Sequence, residues 1–561
     1  MTSRKARTGG QILVDQLKIH GADLAFCVPG ESYLPVLDAL YEHRNSIRLI
    51  TCRHESGAAN MAEAYGKLTG RPGICLVTRG PGATNASIGM HTAFQDSTPM
   101  ILFIGQVGSD FVEREAFQEI DYRRMFGQMA KWVAQIDRAD RIPEFIARAY
   151  QVATSGRMGP VVLALPEDML SATATVADAR AWQRVETSPG EQALARLYSL
   201  LANAKRPFVI AGGSGWHTDA CADLQHFAET QKIPIGCAFR FQDLFDNAHP
   251  NYAGDVGIGI NPKLAARIKA ADLVIAIGAR LGEMTTSGYT LIDPAGAGES
   301  AQSLVHIHAG AEELGRVYQA DLMINATMAA MAKAFAALSR VTQAGVEENV
   351  KAANADYHSW QAQKNTPGTV QMWDVMQHLE SVLPANAILT NGAGNYATWV
   401  HRFHRYRGFR TQLAPTSGAM GYGVPAAVAA KAVHPDRVVV AFAGDGCFLM
   451  TGQELATAVQ YQLNIIFIVV NNNMYGTIRM HQEREFPGHV YGTALVNPDF
   501  AAYARAFGAS GEVVERTAEF APAFERAMKA GKPALIEIRI DPEAISPNTT
   551  LHAIRVAAQR K

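Results

Sequence analysis

Short apolar runs alternate with longer amphipathic segments along the whole chain, and this alternation constrains the fold more than any other feature. The runs are rich in Val, Ile and Leu and read GICLVT, MILFIGQ, PVVLALP, FVIAGG, DLVIAIGA, SLVHIHA, AILTNG, RVVVAFAG, NIIFIVVNN and ALIEIRI. Strands that are apolar on both faces and separated by helices are typical of parallel sheets covered by helices. The sequence therefore predicts an α/β protein with several doubly wound, mostly parallel sheets.

Length and two polar stretches divide the chain into domains. A chain of 561 residues is too long for one hydrophobic core, and domains of ordinary size would number about three or four. Polar stretches at about 171–192 and 341–368 predict linkers. We therefore expect three doubly wound domains, at 1–175, 190–340 and 365–561.

Composition narrows the class of partner. The formal net charge is −1 and 18% of residues are charged, so the chain has no basic surface typical of nucleic-acid or acidic-membrane binding. The six cysteines are scattered without a CxxC pair, which is typical of a reducing compartment. No apolar run reaches the roughly 20 residues of a membrane helix, and no signal peptide is visible. These features predict a cytoplasmic protein with a small-molecule partner, and neither nucleic acid nor membrane as a partner.

Polar residues follow two apolar runs in the last third of the sequence. Asp445 follows RVVVAFAG within Gly-Asp-Gly, and Asn472 follows NIIFIVV, 472 − 445 = 27 residues later. This spacing accommodates one crossover helix, so both residues are expected at the carboxyl edge of a sheet, where ligands bind. Carboxylate and amide oxygens suit Mg²⁺, and Gly444 and Gly446 allow the backbone to approach a phosphate. Alone, Gly-Asp-Gly is usually a turn; the combined pattern indicates a Mg²⁺-bound diphosphate.

This pattern resembles the thiamine diphosphate motif of the family that includes acetolactate synthase, benzoylformate decarboxylase, pyruvate oxidase and oxalyl-CoA decarboxylase. The resemblance implies that Asp445, Asn472 and the carbonyl of Met474 hold Mg²⁺. Two further stretches, TNGAGNYATW and TSGAMGYGVPAAVAAK, are similar to the family's diphosphate loop and to the segment beneath the bent cofactor. The implied cofactor-binding residues of this part are Gly394, Asn395, Met420, Gly444, Gly446, Cys447, Asn472, Tyr475 and Gly476.

The N-terminal stretch RLITCRHESGAANMAEAYGKLTGRPGICLVTRGPGATN resembles the pyrimidine-binding region of the same family. Glu55 occupies the position of its activating glutamate, a carboxyl group that needs a dry site and a raised pKa. The turns VPGES and TRGPGATN imply further cofactor contacts at Pro29, Gly30, Thr78 and Asn85. Alone, Glu55 also fits a glutamate that merely stabilises a helix N-terminus. In this family the glutamate and the Gly-Asp-Gly motif come from different subunits, which implies a homodimer or homotetramer with active sites at the dimer interface.

Acetolactate synthase is the most similar member overall, and this resemblance implies decarboxylation of a 2-oxo acid followed by carboligation to a carbonyl acceptor. Gln118 in AFQE corresponds to a substrate-facing glutamine. Three positions depart from the family: Met284 replaces an arginine, Glu167 a lysine and His481 a tryptophan. The first two changes remove positive charges expected for a second 2-oxo acid. His481 is a candidate acid/base group, with a surface or helix-capping histidine as the alternative.

Several alternatives remain at this point. A non-ligating 2-oxo acid decarboxylase, a 2-hydroxyacyl- or oxalyl-CoA lyase and a non-catalytic cofactor-binding protein share the same motifs. A nicotinamide dehydrogenase is disfavoured because no GxGxxG follows a strand with an acidic residue about 20 positions on. The central part resembles the FAD-binding domain of acetolactate synthase at Arg157, Gly212, Gly213 and Arg280, although relatives keep that fold without flavin. FAD is therefore an open cofactor beside thiamine diphosphate and Mg²⁺.

Overall fold

The computed structural model describes residues 5–292, 302–341 and 345–560. Residues 342–344 of the expected second linker lie outside this part. The described residues form three six-stranded parallel sheets, each flanked by helices, together with one two-stranded antiparallel ribbon. The prediction of three doubly wound α/β domains is confirmed. The exact domain boundaries stay a prediction.

The N-terminal sheet contains short, buried strands with helices between them. Its strands, in spatial order, are Arg48–Thr51, Leu24–Cys27, Gly73–Val77, Met100–Gln106, Pro160–Pro166 and Trp132–Gln135. Its helices are Gly9–Ile19, Leu34–Glu42, Glu55–Thr69, Gly80–Asp96, Tyr122–Phe126, Ile142–Thr154 and Glu167–Ser171. Arg7–Thr8 and Thr173–Ala174 form the antiparallel ribbon.

Small residues let helix Glu55–Thr69 approach a neighbouring helix and the loop before strand Met100–Gln106 closely. A Cβ added to Gly89 would lie 2.4 Å from the Cβ of Ala59, and one added to Gly66 would lie 2.4 Å from the carbonyl oxygen of Pro99. Such distances exclude larger side chains, because atoms in a packed interior cannot overlap. Helix Glu55–Thr69 is thereby held in place along its length, with Glu55 at its N-terminus.

The central sheet has the same architecture. Its strands, in spatial order, are Tyr252–Val256, Ile235–Ala238, Pro207–Ala211, Leu273–Ile277, Ser303–His308 and Leu322–Asn325. The α-helices of this region are Glu191–Asn203, Thr218–Gln231, Pro262–Ala270, Met328–Ala336 and Val346–Trp360.

The C-terminal sheet places the two sequence motifs on adjacent strands. Its strands, in spatial order, are Gln412–Leu413, Ile388–Asn391, Val439–Gly444, Ile466–Asn471, Ala534–Arg539 and Ser510–Val514. Gly444 pairs with Val470 in parallel register, as the spacing of the motifs predicts. The α-helices are Met372–Val382, Ala397–Phe403, Gly423–Val433, Asp445–Phe448, Glu454–Gln460, Gly476–Glu485, Phe500–Ala506, Thr517–Lys529 and Leu551–Gln559.

By their contacts the residues divide into two compact units. The first unit comprises residues 1–185, 428–433 and 451–461, so it holds the N-terminal sheet and also helix Glu454–Gln460. The second comprises residues 186–427, 434–450 and 462–561 and holds the central and C-terminal sheets. Within the described ranges, none of the helices has the length and apolar character needed to span a membrane.

Candidate active site

A cavity of about 250 Å³ lies in the second unit, at the carboxyl ends of the strands of the C-terminal sheet. Ligands of open parallel sheets bind at this edge, where loops and helix N-termini converge. All the residues implied for metal and diphosphate binding line this one cavity: Gly394, Asn395, Met420, Gly444, Asp445, Gly446, Cys447, Asn472, Met474, Tyr475 and Gly476. The fold thus brings the set together, and its binding role stays a prediction.

Asp445 is a buried carboxylate at the end of strand Val439–Gly444, with 3% of its surface exposed. Its Oδ1 accepts the Gly446 N–H at 2.9 Å, and its Oδ2 accepts the Asn497 amide at 2.8 Å. Burial raises the pKa of the Asp445 carboxyl, while hydrogen bonds from Gly446, Asn497 and the backbone of Met474 lower that pKa. These partners are neutral, so a divalent cation would supply the positive charge that a buried carboxylate requires.

The donor set at this edge is chemically suited to Mg²⁺. Asp445 offers carboxylate oxygen, and Asn472 and Met474 on the same cavity wall offer amide and carbonyl oxygen. Mg²⁺ prefers oxygen ligands and keeps several positions for phosphate and water. Among the residues that the structure describes, no group of three or more His, Cys, Asp or Glu side chains is arranged to hold a metal ion. A metal here would therefore be held by one carboxylate and uncharged oxygens.

Two glycines keep the cavity floor open. A Cβ added to Gly446 would lie 2.6 Å from the Tyr475 ring, and one added to Gly444 would lie 3.0 Å from the Tyr396 ring. A side chain at either position would displace an aromatic ring or fill the space above the backbone. The two positions therefore fit a bound phosphate that approaches the main chain closely.

Asn497 is a residue of this site that the sequence did not indicate. Besides Asp445, its amide nitrogen contacts the Asn471 side-chain oxygen at 2.9 Å. The chain just before Asn497 pairs with the loop that follows strand Ile466–Asn471, since the Leu495 N–H donates to the Asn473 carbonyl at 2.9 Å. An asparagine before a proline usually signals only a turn. Its contact with a carboxylate 52 residues away becomes visible only in the fold.

Glu55 lies in the first unit, at the start of helix Glu55–Thr69, and is half-buried. Its Oε2 accepts the Asn85 amide at 2.9 Å. A Cβ added to Gly82 would lie 3.4 Å from Glu55 Oε1. The TRGPGATN segment, predicted as a turn, instead begins helix Gly80–Asp96 from its third residue on, and the first turn of this helix lies directly beside the carboxyl group. The structure thus brings Glu55 and Asn85 together, as expected of a common site.

The VPGES turn packs on the same region. A Cβ added to Gly30 would lie 2.5 Å from the Thr78 Cβ, and Thr78 shares a hydrogen bond of 2.9 Å with the Ser32 hydroxyl. Pro29, directly before Gly30, is exposed. The predicted pyrimidine-binding residues of the first unit therefore lie on loops and on the first turns of two helices, which converge. Their contact with a cofactor stays a prediction.

The two remaining catalytic candidates have different surroundings. Gln118 adopts a left-handed conformation with φ 65°, and its carbonyl accepts the Gly80 N–H at 2.9 Å. Its side-chain oxygen is buried and has no hydrogen-bond partner within the described ranges. His481 is exposed on helix Gly476–Glu485 and is not among the residues that line the cavity. Gln118 thus adjoins the start of helix Gly80–Asp96, and the catalytic roles of both residues stay predictions.

Two of the residues that resemble a flavin site, Gly213 and Arg157, make packing contacts or hydrogen bonds within this chain. A Cβ added to Gly213, which has φ +73°, would lie 2.0 Å from the Gly278 carbonyl oxygen. The Arg157 guanidinium donates to Ser97 at 3.0 Å and to the Phe94 carbonyl at 2.6 Å. Packing of strand ends explains why position 213 is glycine, and hydrogen bonds within the first unit explain Arg157. These positions therefore need no flavin to account for them.

Comparison with known protein families identifies the family to which the chain belongs. Three models match along the chain: the N-terminal TPP binding domain of thiamine pyrophosphate enzymes at residues 7–125, their central domain at 194–335 and their C-terminal TPP binding domain at 392–538. The chain belongs to the thiamine pyrophosphate enzyme family. Each matched segment covers most of one of the three sheets, and the C-terminal match contains most of the residues that line the cavity. The family's cofactor is thiamine diphosphate, another name for thiamine pyrophosphate.

Among members of the thiamine pyrophosphate enzyme family, acetolactate synthases resemble this chain over most of its length. The large subunit of acetolactate synthase isozyme 2 from Escherichia coli K12 is 30% identical over 95% of this chain and 95% of its own. The acetolactate synthase large subunit from Corynebacterium glutamicum is 30% identical over 96% of this chain and 87% of its own. The mitochondrial catalytic subunit from Saccharomyces cerevisiae is 28% identical, covering 96% and 82%. The predicted resemblance is confirmed.

Proposed function

We propose that the protein is a thiamine diphosphate- and Mg²⁺-dependent enzyme that decarboxylates a 2-oxo acid and ligates the product to a second carbonyl compound. The cavity beside Asp445 carries the proposal, because it gathers a buried carboxylate, oxygen donors and two glycines without side chains. Its similarity to acetolactate synthases, which extends over nearly the whole chain, supports the proposal. From composition and cysteine use we also infer a cytoplasmic location.

Different residues of the cavity would hold the metal and the diphosphate of the cofactor. Asp445, Asn472 and the Met474 carbonyl would hold Mg²⁺, and Gly444 and Gly446 would let backbone groups approach the diphosphate. Bound thiamine diphosphate supplies an electron sink for cleavage of the bond next to the keto carbon. The apolar part of the lining, which includes Met420, Ile478 and Ile545, would exclude water from the reacting atoms.

Glu55, at the start of helix Glu55–Thr69 in the first unit, would act on the cofactor's pyrimidine ring. Its carboxyl group would hold a proton at the ring nitrogen, and Asn85, at 2.9 Å from Oε2, would orient that carboxyl. The proposal includes self-association into a homodimer or homotetramer with active sites at the dimer interface. Gel filtration with light scattering tests this part, since a fully active monomer would contradict it.

We infer that the acceptor pocket differs from that of a typical acetolactate synthase. Glu167 replaces a lysine and forms an ion pair of 2.6 Å with the Arg79 guanidinium. A cation at this position is thus replaced by a carboxylate that neutralises a neighbouring arginine. We infer a carbonyl acceptor that needs less positive charge than a second 2-oxo acid. The comparisons do not favour a non-ligating decarboxylase or an acyl-CoA lyase.

Product analysis tests the proposal. Purified protein is incubated with pyruvate, thiamine diphosphate and Mg²⁺, and acetolactate and acetaldehyde are measured separately, with and without added aldehydes as acceptors. Carboligation products that require both the cofactor and the metal would support the proposal. Acetaldehyde alone, in the presence of every acceptor, would indicate a simple decarboxylase. The absorbance spectrum of the purified protein tests FAD, which the proposal does not require.

A further inference from the structure

Glu454 is a fully buried carboxylate outside the residues assigned so far. It begins helix Glu454–Gln460, which belongs to the first unit, and none of its surface is exposed. Its Oε1 accepts the backbone N–H of Arg53 at 3.1 Å and of His54 at 3.0 Å. Its Oε2 accepts the Thr457 hydroxyl at 2.6 Å. The two N–H donors belong to the residues directly before Glu55.

The helix that starts at Glu55 is shaped to admit this carboxylate. A Cβ added to Gly57 would lie 2.3 Å from Glu454 Oε1. Any other residue at position 57 would therefore push the carboxylate away from the N–H groups that it accepts. The first N–H groups of a helix have no partner within the helix, and a negative charge there is favourable. Glu454 thus binds the N-terminal end of helix Glu55–Thr69 from outside.

Two other residues of segment 451–461, Gln460 and Tyr461, hold the backbone that leads to Glu55. The Tyr461 hydroxyl accepts the Thr51 N–H at 2.8 Å, and the Arg53 guanidinium donates to the Gln460 side chain at 2.5 Å. The backbone is therefore held at Thr51, Arg53 and His54, with Glu454 supplying the two contacts nearest to Glu55. Each of these contacts joins residues about 400 positions apart in sequence.

We propose that Glu454 is a positioning residue that fixes the direction of the Glu55 side chain by holding the two peptide N–H groups before it. This assignment rests on the proposed function, in which Glu55 acts on the cofactor. Glu454 is not among the residues that line the cavity of the second unit, so its proposed role is to hold the backbone before Glu55. Its loss should move Glu55 while leaving the separate diphosphate cavity of the second unit intact.

The test compares Glu454→Ala and Glu454→Gln with the wild-type protein. Glu454→Ala should lower kcat by about tenfold to a hundredfold, the cost of misplacing a proton-transfer group by about 1 Å, while the affinity for thiamine diphosphate with Mg²⁺ changes little. Glu454→Gln keeps an oxygen that accepts both N–H groups and should restore most of the activity. The second readout is the rate at which the C2 proton of bound thiamine diphosphate exchanges with deuterium, followed by NMR.

A double-mutant cycle separates positioning from general destabilisation. In the Glu55→Gln background, Glu454→Ala should slow C2 proton exchange no further, because Glu55 no longer acts. An equal slowing in both backgrounds, or wild-type exchange in Glu454→Ala alone, would overturn the assignment. If Glu55→Gln itself keeps wild-type turnover, the proposed function fails and the assignment fails with it.

A second cycle reports on the contact without cofactor. Gly57→Ala should lower the melting temperature of the apo protein, because the new Cβ collides with the Glu454 carboxylate. Combined with Glu454→Ala, which empties that space, the same substitution should cost much less stability. Equal costs in both backgrounds would show that Glu454 does not contact the helix at Gly57. Because this cycle needs neither cofactor nor turnover, it also decides the question if the activity of Glu454→Ala is too low for kinetics.

Discussion

Glu483 should fasten the C-terminal helix Leu551–Gln559 to helix Gly476–Glu485, whose residues Thr477 and Ile478 line the cavity. None of its surface is exposed. Its carboxylate accepts two hydrogen bonds from Arg555, at 2.6 and 2.7 Å, two from Arg479, at 2.6 and 3.0 Å, and one from the Gly488 N–H at 3.0 Å. Replacement by Gln would remove the charge and leave two guanidinium groups without a carboxylate.

The magnitude follows from the pKa. The hydrogen bond from Arg555 is the largest of the effects that lower the pKa of Glu483 from 4.5 to about 2. A depression of 4.5 − 2 = 2.5 units corresponds to about 3.4 kcal/mol at about 1.36 kcal/mol per unit. The Arg555 side chain is 31% exposed, so solvent screens the pair and we expect about 2 kcal/mol. A loss of about 2 kcal/mol corresponds to a roughly 30-fold increase in the equilibrium constant for local opening of helix Leu551–Gln559.

Hydrogen–deuterium exchange measures this directly. In Glu483→Gln, the protection of amides in Leu551–Gln559 should fall about 30-fold at pH 7. Because the folded-state pKa is depressed, the stabilisation is present above about pH 4.5 and is lost as the pH falls toward 2. The two proteins should therefore converge at low pH. Glu525→Gln is the control, since its carboxylate pairs with Lys529 on an exposed helix face. Equal protection in Glu483→Gln and the control, or a difference that does not change with pH, would show that the Glu483 carboxylate does not hold helix Leu551–Gln559 in place.

Two further predictions concern the proposed cofactor site. Glu55→Gln should bind thiamine diphosphate and Mg²⁺ with near wild-type affinity in calorimetric titration yet lose most turnover; unchanged turnover would contradict the proposed role of Glu55. Gly446→Ala should weaken cofactor affinity by about tenfold, because its Cβ would lie 2.6 Å from the Tyr475 ring and overpacking costs about 1–3 kcal/mol. Wild-type affinity in Gly446→Ala would show that this glycine is not needed at the cofactor.

The sequence predicts the parts of the fold that depend on local pattern. Apolar runs such as that ending at Gly444 fold as buried strands, and Asp445 and Asn472 directly follow two neighbouring strands, as their spacing predicts. This works because strand periodicity and crossover length are short-range properties. The association of these residues with one cavity follows from the topology of any doubly wound sheet.

Other parts of the site depend on contacts between distant segments. Glu454 occupies an ordinary helical position in the sequence, and only the fold shows that it accepts N–H groups from Arg53 and His54. Asn497 reads as a turn residue, yet it contacts Asp445. The partner of Glu167 is Arg79, 88 residues away. Periodicity carries no information about such pairs, because each member satisfies its own local pattern.

The most direct test of the central account is a calorimetric titration of the wild-type protein and of Asp445→Ala with thiamine diphosphate, in the presence and absence of Mg²⁺. If Asp445 holds the Mg²⁺ of the cofactor, thiamine diphosphate should bind the wild-type protein saturably and only with Mg²⁺. Asp445→Ala should lose that binding while its circular dichroism spectrum stays that of the wild-type fold. Binding of equal affinity to both proteins, or binding that is independent of Mg²⁺, would contradict this role of Asp445.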